Sequence, residues 1–246
     1  MTEHIFYNFE KCVSAGKQCK VLNLNGEGKN NILHSDHITQ LAKKTEIEEL
    51  HLRENKIHYF DPNLPTLSNL RVLDLNKNRI NPDFLTYISK LERLEKLDFS
   101  ENRGLTTKGG AIPPQIGNLT ELKEFRMDES NLIGTIPKEI GDLKNLEVLT
   151  LSKNHLSGRI PKELGQLENL ETLYLHHNLL SEDLPKELGQ LENLKKLSLA
   201  YNKLRGTIPK EFENLKNLSS LNLKKNTYLD TKTLPTRELR RLVSTI

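Results

Sequence analysis

LEVLTLSKNHLSGRIPKELGQLEN, residues 146–169, runs directly into LETLYLHHNLLSEDLPKELGQLEN (170–193) and LKKLSLAYNKLRGTIPKEFENLKN (194–217). LKEFRMDESNLIGTIPKEIGDLKN (122–145) precedes them, so four copies follow one another at a constant step of 24 residues. Farther back, copies begin at Leu94, Leu70 and Ile47, with steps of 28, 24 and 23 residues, and a last copy begins at Leu218. Eight copies thus share LxxLxLxxN, and a degenerate ninth lies around Leu22 and Leu24. A fixed period of this length makes each copy one structural unit and takes precedence over local propensity.

The residue types within a copy follow from its geometry. In Leu149-Thr150-Leu151 the side chains of an extended chain alternate, sending the leucines to one face and Thr150 to the other. Three residues after the second leucine come Asn78, Asn102, Asn154, Asn178, Asn202 and Asn226. An inward amide at such a turn can both donate to and accept from backbone that water cannot reach, so stacked copies predict an asparagine ladder. Gly158-x-Ile160-Pro161 and Gly206-x-Ile208-Pro209 supply a turn, an inward aliphatic and a fixed φ, and KELGQLEN then gives one short helical turn. No copy can bury its leucines alone. The expected fold is therefore an α/β solenoid: a horseshoe with a concave parallel β-sheet and an irregular, short-helical convex side.

These motifs resemble the leucine-rich-repeat family, and copies 122–217 are similar to its plant-type subclass, LxxLxLxxNxLxGxIPxxLGxLxx. The resemblance spans about residues 19–229. Ser130 takes the ladder position in the fifth copy, Glu182 stands where the seventh should have Gly, and the copies at Ile47 and Leu70 lack the GxIP segment and should be more helical outside. The whole chain reads as one domain, with an N-terminal helical cap at 1–18, about nine repeats over 19–229 and a C-terminal cap at 230–246. Ile5, Phe6, Phe9 and Val13 would form the apolar face of the first cap, and Leu239, Leu242 and Val243 that of a helix over 236–243. The resemblance also implies a cysteine pair at the N-terminal end, and Cys12 and Cys19 sit in a similar place.

Composition narrows the function classes. Of 246 residues 46 are Leu and 24 Asn, Trp is absent, and the net charge of +3 is too balanced to announce a polyanion binder. Two cysteines are too few for a disulfide framework; they permit one bridge, but free thiols are the expectation. No apolar run approaches the roughly 20 residues of a membrane span, and the N-terminus lacks a basic start followed by an apolar stretch, so an intracellular, cytoplasmic chain without membrane insertion is expected. The sequons at Asn118 and Asn217 carry little weight in a chain rich in Asn-Leu.

Nothing recommends catalysis. Gly26-Glu27-Gly28 lacks the third glycine and the helix of a dinucleotide fingerprint and falls where the first copy must turn. His34-Ser35-Asp36-His37 has no third ligand at metal-site spacing, and Ser35 or Asp36 more simply caps a helix through Ile38 and Leu41. No catalytic, cofactor-binding or metal residue is assigned, and no small-molecule substrate.

The repeat leaves the outward strand positions free for a partner. The central row is His51, Asp74, Asp98, Arg126, Thr150, Tyr174, Ser198 and Asn222; two residues later come Arg53, Asn76, Ser100, Asp128, Ser152, His176, Ala200 and Lys224. A third row holds Glu54, Lys77, Glu101, Glu129, Lys153, His177, Tyr201 and Lys225. The first half of this face is acidic and its end basic. Residues 195–246 carry 12 basic and 4 acidic residues, a balance of +8, so residues 1–194 balance at −5. The expected function is a non-enzymatic protein-interaction module or subunit of an intracellular assembly, with Arg126, Thr150, Tyr174, His176, His177, Ser198 and Tyr201 as partner-binding residues. The alternative is an extracellular receptor-like or defence-like recognition ectodomain, which a Cys12–Cys19 bridge would favour. Nucleic-acid affinity rests only on the basic C-terminal quarter and is disfavoured.

Overall fold

The alternation read from each copy forms a short strand in every one of them. The structure, a computed structural model, describes residues 5–15, 19–26, 40–41, 43–58, 66–103, 110–231 and 237–242. Its principal sheet has ten parallel strands: β1 (Ile5–Phe6), β2 (Val21–Asn23), β3 (Glu49–His51), β4 (Val72–Asp74), β5 (Lys96–Asp98), β6 (Glu124–Arg126), β8 (Val148–Thr150), β10 (Thr172–Tyr174), β12 (Lys196–Ser198) and β14 (Ser220–Asn222). From β2 onward each copy pairs with the next in equivalent register, as in Leu149↔Leu173↔Leu197↔Leu221. The leucines flanking each outward residue are buried.

A second parallel sheet lies beyond the asparagine turn, in the order β15 (Tyr228–Asp230), β13 (Lys203–Thr207), β11 (Leu179–Asp183), β9 (His155–Gly158), β7 (Ile133–Gly134). The solenoid reading placed only irregular chain there. The convex side carries one 3-10 turn per copy, at Pro114–Asn118, Lys138–Asp142, Lys162–Gln166, Lys186–Gln190 and Lys210–Asn214. The copy beginning at Leu70, which lacks GxIP, is more helical as expected, with a 3-10 turn at Pro82–Phe84 running into a helical turn at Leu85–Ile88, while the matching stretch of the copy beginning at Ile47 falls at 59–65, outside the described residues.

The ladder is present. Asn154 Nδ2 donates to the carbonyls of Met127 (2.8 Å) and Leu151 (2.9 Å), and its Oδ1 accepts from the backbone N–H groups of Ser130 (2.9 Å) and Leu132 (3.0 Å). Asn178, Asn202 and Asn226 repeat the pattern, so each amide staples its own turn to the preceding copy. Ser130, the exception, keeps only the donor half through its hydroxyl bond to the Phe99 carbonyl at 2.8 Å. A second amide row was not anticipated: Asn145, Asn169, Asn193 and Asn217 donate to the backbone carbonyls of Thr120, Lys144, Glu168 and Glu192 on the convex side.

Both ends correct details of the reading. Ile5 and Phe6, expected on a helix face, form the first strand of the sheet, and the helix spans only Phe9–Ser14, capped by the Asn8 side chain. An extended β1 continues the parallel ladder over β2, covering backbone groups a helix would have left open. Cys12 and Cys19 are bonded as a disulfide, not free, and both are fully buried against the first copy. At the other end a helix occupies Arg237–Leu242, with Leu239 buried and Leu242 packed on the core. Gly26 lies at positive φ in the first turn, as its reading required. Glu27, Gly28, the 34–38 segment, the insertion at 104–109 and Val243 lie outside the described residues.

Candidate interaction face

Local backbone explains how the concave side chains are displayed. After each inner strand one residue enters the left-handed region before the ladder position: Glu129 (φ 54), Lys153 (φ 56), His177 (φ 56) and Tyr201 (φ 55) in consecutive copies. The same turn repeated on adjacent strands lines these side chains up along one edge. His177 and Tyr201 consequently stack, ring centroids 4.0 Å apart and planes 11° from parallel. His176 meets His177 edge-on at 5.7 Å and Tyr174 at 5.9 Å, so Tyr174, His176, His177 and Tyr201 form one continuous aromatic string. Tyr201 is 44% exposed.

Arg126, Thr150, Tyr174 and Ser198 are register partners on neighbouring strands, as the central row requires. Thr150 departs from the expectation. It points to the concave side but is only 1% exposed, a small side chain between its register neighbours Arg126 and Tyr174. Its hydroxyl has no hydrogen-bond partner. Ser152, beside it in the next row, is also buried; its hydroxyl lies 2.9 Å from His176 Nδ1, and its N–H donates to Asp128 Oδ1 at 2.6 Å. Burial holds the His176 pKa below its ordinary value, against the opposing pull of Asp128. The seven expected contact residues therefore do lie together, with Thr150 as floor and the aromatic string as wall.

Two further rows belong to this face and escaped the sequence reading. Glu95 bridges Arg71 (2.5 Å) and Lys123 (3.0 Å), while Glu171 holds Lys195 at 2.7 Å, all one residue before their strands. On the strands themselves Glu124 joins Lys96 (2.7 Å) to Arg126 (3.0 Å). Cross-strand spacing of opposite charges at equivalent positions was the available signal. At the edge, Glu129 takes both Arg103 and Lys153, whose hydrogen bonds hold its carboxyl below the usual range.

The central row carries acids of a different kind. Asp74 and Asp98 are register partners, and neither forms an ion pair. Asp74 accepts from the Asn76 N–H (3.0 Å) and Asp98 from the Ser100 N–H (2.9 Å). Burial, with the neighbouring Asp98 charge, raises the Asp74 pKa against the pull of that backbone bond. Among the described residues no group of three His, Cys, Asp or Glu side chains could hold a metal ion, and no helix is long and apolar enough to cross a membrane.

The chain belongs to the leucine-rich-repeat family: residues 114–238 match the model of the leucine-rich repeat region. Its fold is one that serves protein interaction. The structure is similar to a leucine-rich-repeat protein of Leptospira interrogans, with TM-score 0.73 and 29% identity over 94% of this chain and 60% of that one. It is also similar to the plant peptide hormone receptor RGFR1, solved in complex with RGF2, with TM-score 0.66 and 28% identity over 75% of this chain. In sequence, 73 residues are 38% identical to the receptor protein-tyrosine kinase CEPR2 of Arabidopsis thaliana. The chain spans 33% of that hormone receptor's structure and 7% of the kinase.

Proposed function

We propose that this chain is a recognition module of the extracellular type, which binds a protein or peptide over the concave face of the copies beginning at Leu122, Leu146, Leu170 and Leu194. The repeats over 19–229 form its body, and the segments at 1–18 and 230–246 close it. The observation that carries the compartment is the Cys12–Cys19 bridge, because disulfides persist in oxidising surroundings and are rare where glutathione keeps thiols reduced. The intracellular-assembly reading expected free thiols and loses that support. Likeness to receptor ectodomains supports the same choice. The observation that carries the site is the aromatic string, since tyrosine joins a rigid ring to a hydroxyl and anchors interfaces.

The compartment is tested by unfolding source material directly into alkylating reagent, followed by mass spectrometry. Cys12 and Cys19, buried in the folded chain, are expected to escape labelling in denaturant until reductant is added. Two thiols labelled at once would return the protein to the intracellular reading.

A further inference from the structure

Several carboxylates flanking the strands are neutralised in place: Glu48 by Lys20, Glu95 by Arg71 and Lys123, Glu124 by Lys96 and Arg126, Glu129 by Arg103 and Lys153, and Glu171 by Lys195. Asp74 and Asp98, side by side in the central row, have no such partner. Arg53 and His51 act on Asp74 only through space, His51 being engaged by Glu49 at 3.2 Å, and Arg126, next to Asp98, is turned to Glu124. Two like charges on adjacent strands repel each other, so an unpaired pair on a partly buried floor destabilises the free protein.

A second observation lies beside them. Asn76, only 7% exposed, sets its amide nitrogen 3.4 Å from both Asp98 oxygens, while its own Oδ1 is buried and has no donor. The two carboxylates and the Asn76 amide that touches Asp98 thus carry more acceptors than donors. The complementary group is one that donates several hydrogen bonds, accepts none and carries positive charge; among side chains that means the guanidinium of Arg or the ammonium of Lys.

We propose that the Asp74–Asp98 pair is the seat of a basic side chain of the bound partner, a second subsite on the concave face. This rests on the concave-binding reading above and adds the partner's chemistry to it. The midpoint of the pair is three and a half strand spacings from Tyr174, about 17 Å at roughly 4.8 Å per strand. An extended segment rising about 3.3 Å per residue covers that in about five residues. The partner therefore presents Lys or Arg about five residues from the group that packs on Tyr174 and Tyr201.

The test uses a displayed library of random dodecapeptides, selected on the full chain and remeasured on variants. Peptides enriched on the wild type should carry Lys or Arg and lose at least tenfold in affinity on the Asp74→Asn/Asp98→Asn double variant, with a loss that shrinks as salt rises. The near-isosteric exchange removes a repulsion, so circular dichroism and the melting temperature should show the variant folded; should it unfold, replacing the peptide's basic residue by Gln must give the same tenfold loss on the wild type. Peptides that bind the double variant as well as the wild type overturn the subsite. If those peptides still lose binding on Tyr174→Ala/Tyr201→Ala, the concave reading survives without it. Binding indifferent to all four changes, or no enrichment at all, overturns both. Calcium chloride at 1 mM that raises the melting temperature of the wild type and not of the double variant would make the pair an inorganic cation site and also overturn the proposal.

Discussion

At the scale of the residue, the structure separates side chains that hold the solenoid from those that decorate it. Asn154 makes five inward hydrogen bonds with backbone, so Asn154→Ala leaves buried groups on two copies unpaired and should lower stability by about 1 to 3 kcal/mol. Lys153, its chain neighbour, points outward to Glu129, and Lys153→Ala should leave the urea midpoint nearly unchanged. Equal losses in the two denaturation curves would mean that inward and outward faces are misassigned. His176 gives a pH signature. Burial lowers its folded-state pKa below the ordinary value of about 6.5, so the unfolded chain binds this proton more tightly. Its neutral form carries no penalty above about pH 6.5, and stability falls as pH drops through that value and past the folded pKa. An NMR titration should place His176 below the ordinary histidine range, and His176→Gln should flatten the acid side of the stability curve. A normal titration would show that its ring is open to water.

At the scale of the element, the convex 3-10 turns show how one copy dictates the sequence of its predecessor. A Cβ built on Gly165 or Gly189 would lie 2.3 Å from the carbonyl oxygen of Glu187 or Glu211 in the following turn, and one on Gly141 would lie 2.6 Å from that of Glu163. Glycine stands there because backbone passes where a side chain would be. At the equivalent position of the copy beginning at Leu194 stands Glu213, whose side chain is exposed. Gly165→Ala should therefore cost about 2 kcal/mol or more, and Glu213→Ala almost nothing; thermal melts of the two variants would contradict this account if they matched. The inner strand, the ladder and the convex turn were legible because each is enforced by residue types inside one copy. The second sheet was not, since its partners lie in neighbouring copies and Leu179-Leu180-Ser181-Glu182-Asp183 has no alternation to mark it. The burial of Thr150 was hidden for a related reason: its strand neighbours, Arg126 and Tyr174 among them, lie 24 positions away on either side.

At the scale of the whole molecule, the proposed function rests on the two ends and the concave face. The Cys12–Cys19 bridge closes a loop with a sequence separation of 7, for which chain entropy gives about 2 to 3 kcal/mol, so the Cys12→Ser/Cys19→Ser double variant should melt several degrees lower while keeping the repeat's circular dichroism. An unchanged melting temperature would mean that the cap does not close cooperatively with the first copies. Spacing alone could not fix the oxidation state of these cysteines, because compartment is not written in composition. The outward rows could be numbered from the repeat and proved correctly aligned, but their division into paired glutamates and an unpaired Asp74–Asp98 pair emerges only when neighbouring strands are set side by side. The claim that joins these observations is recognition through the aromatic string. Its most direct measurement is the affinity of the tightest selected peptide for wild type, Tyr174→Ala, Tyr201→Ala and Glu171→Ala. Tyr174→Ala should weaken binding by about 2 kcal/mol, roughly thirtyfold, with the fold intact, and Glu171→Ala at the rim by well under 1 kcal/mol. Peptide affinity unchanged in both tyrosine variants would place recognition elsewhere on the solenoid and contradict the account.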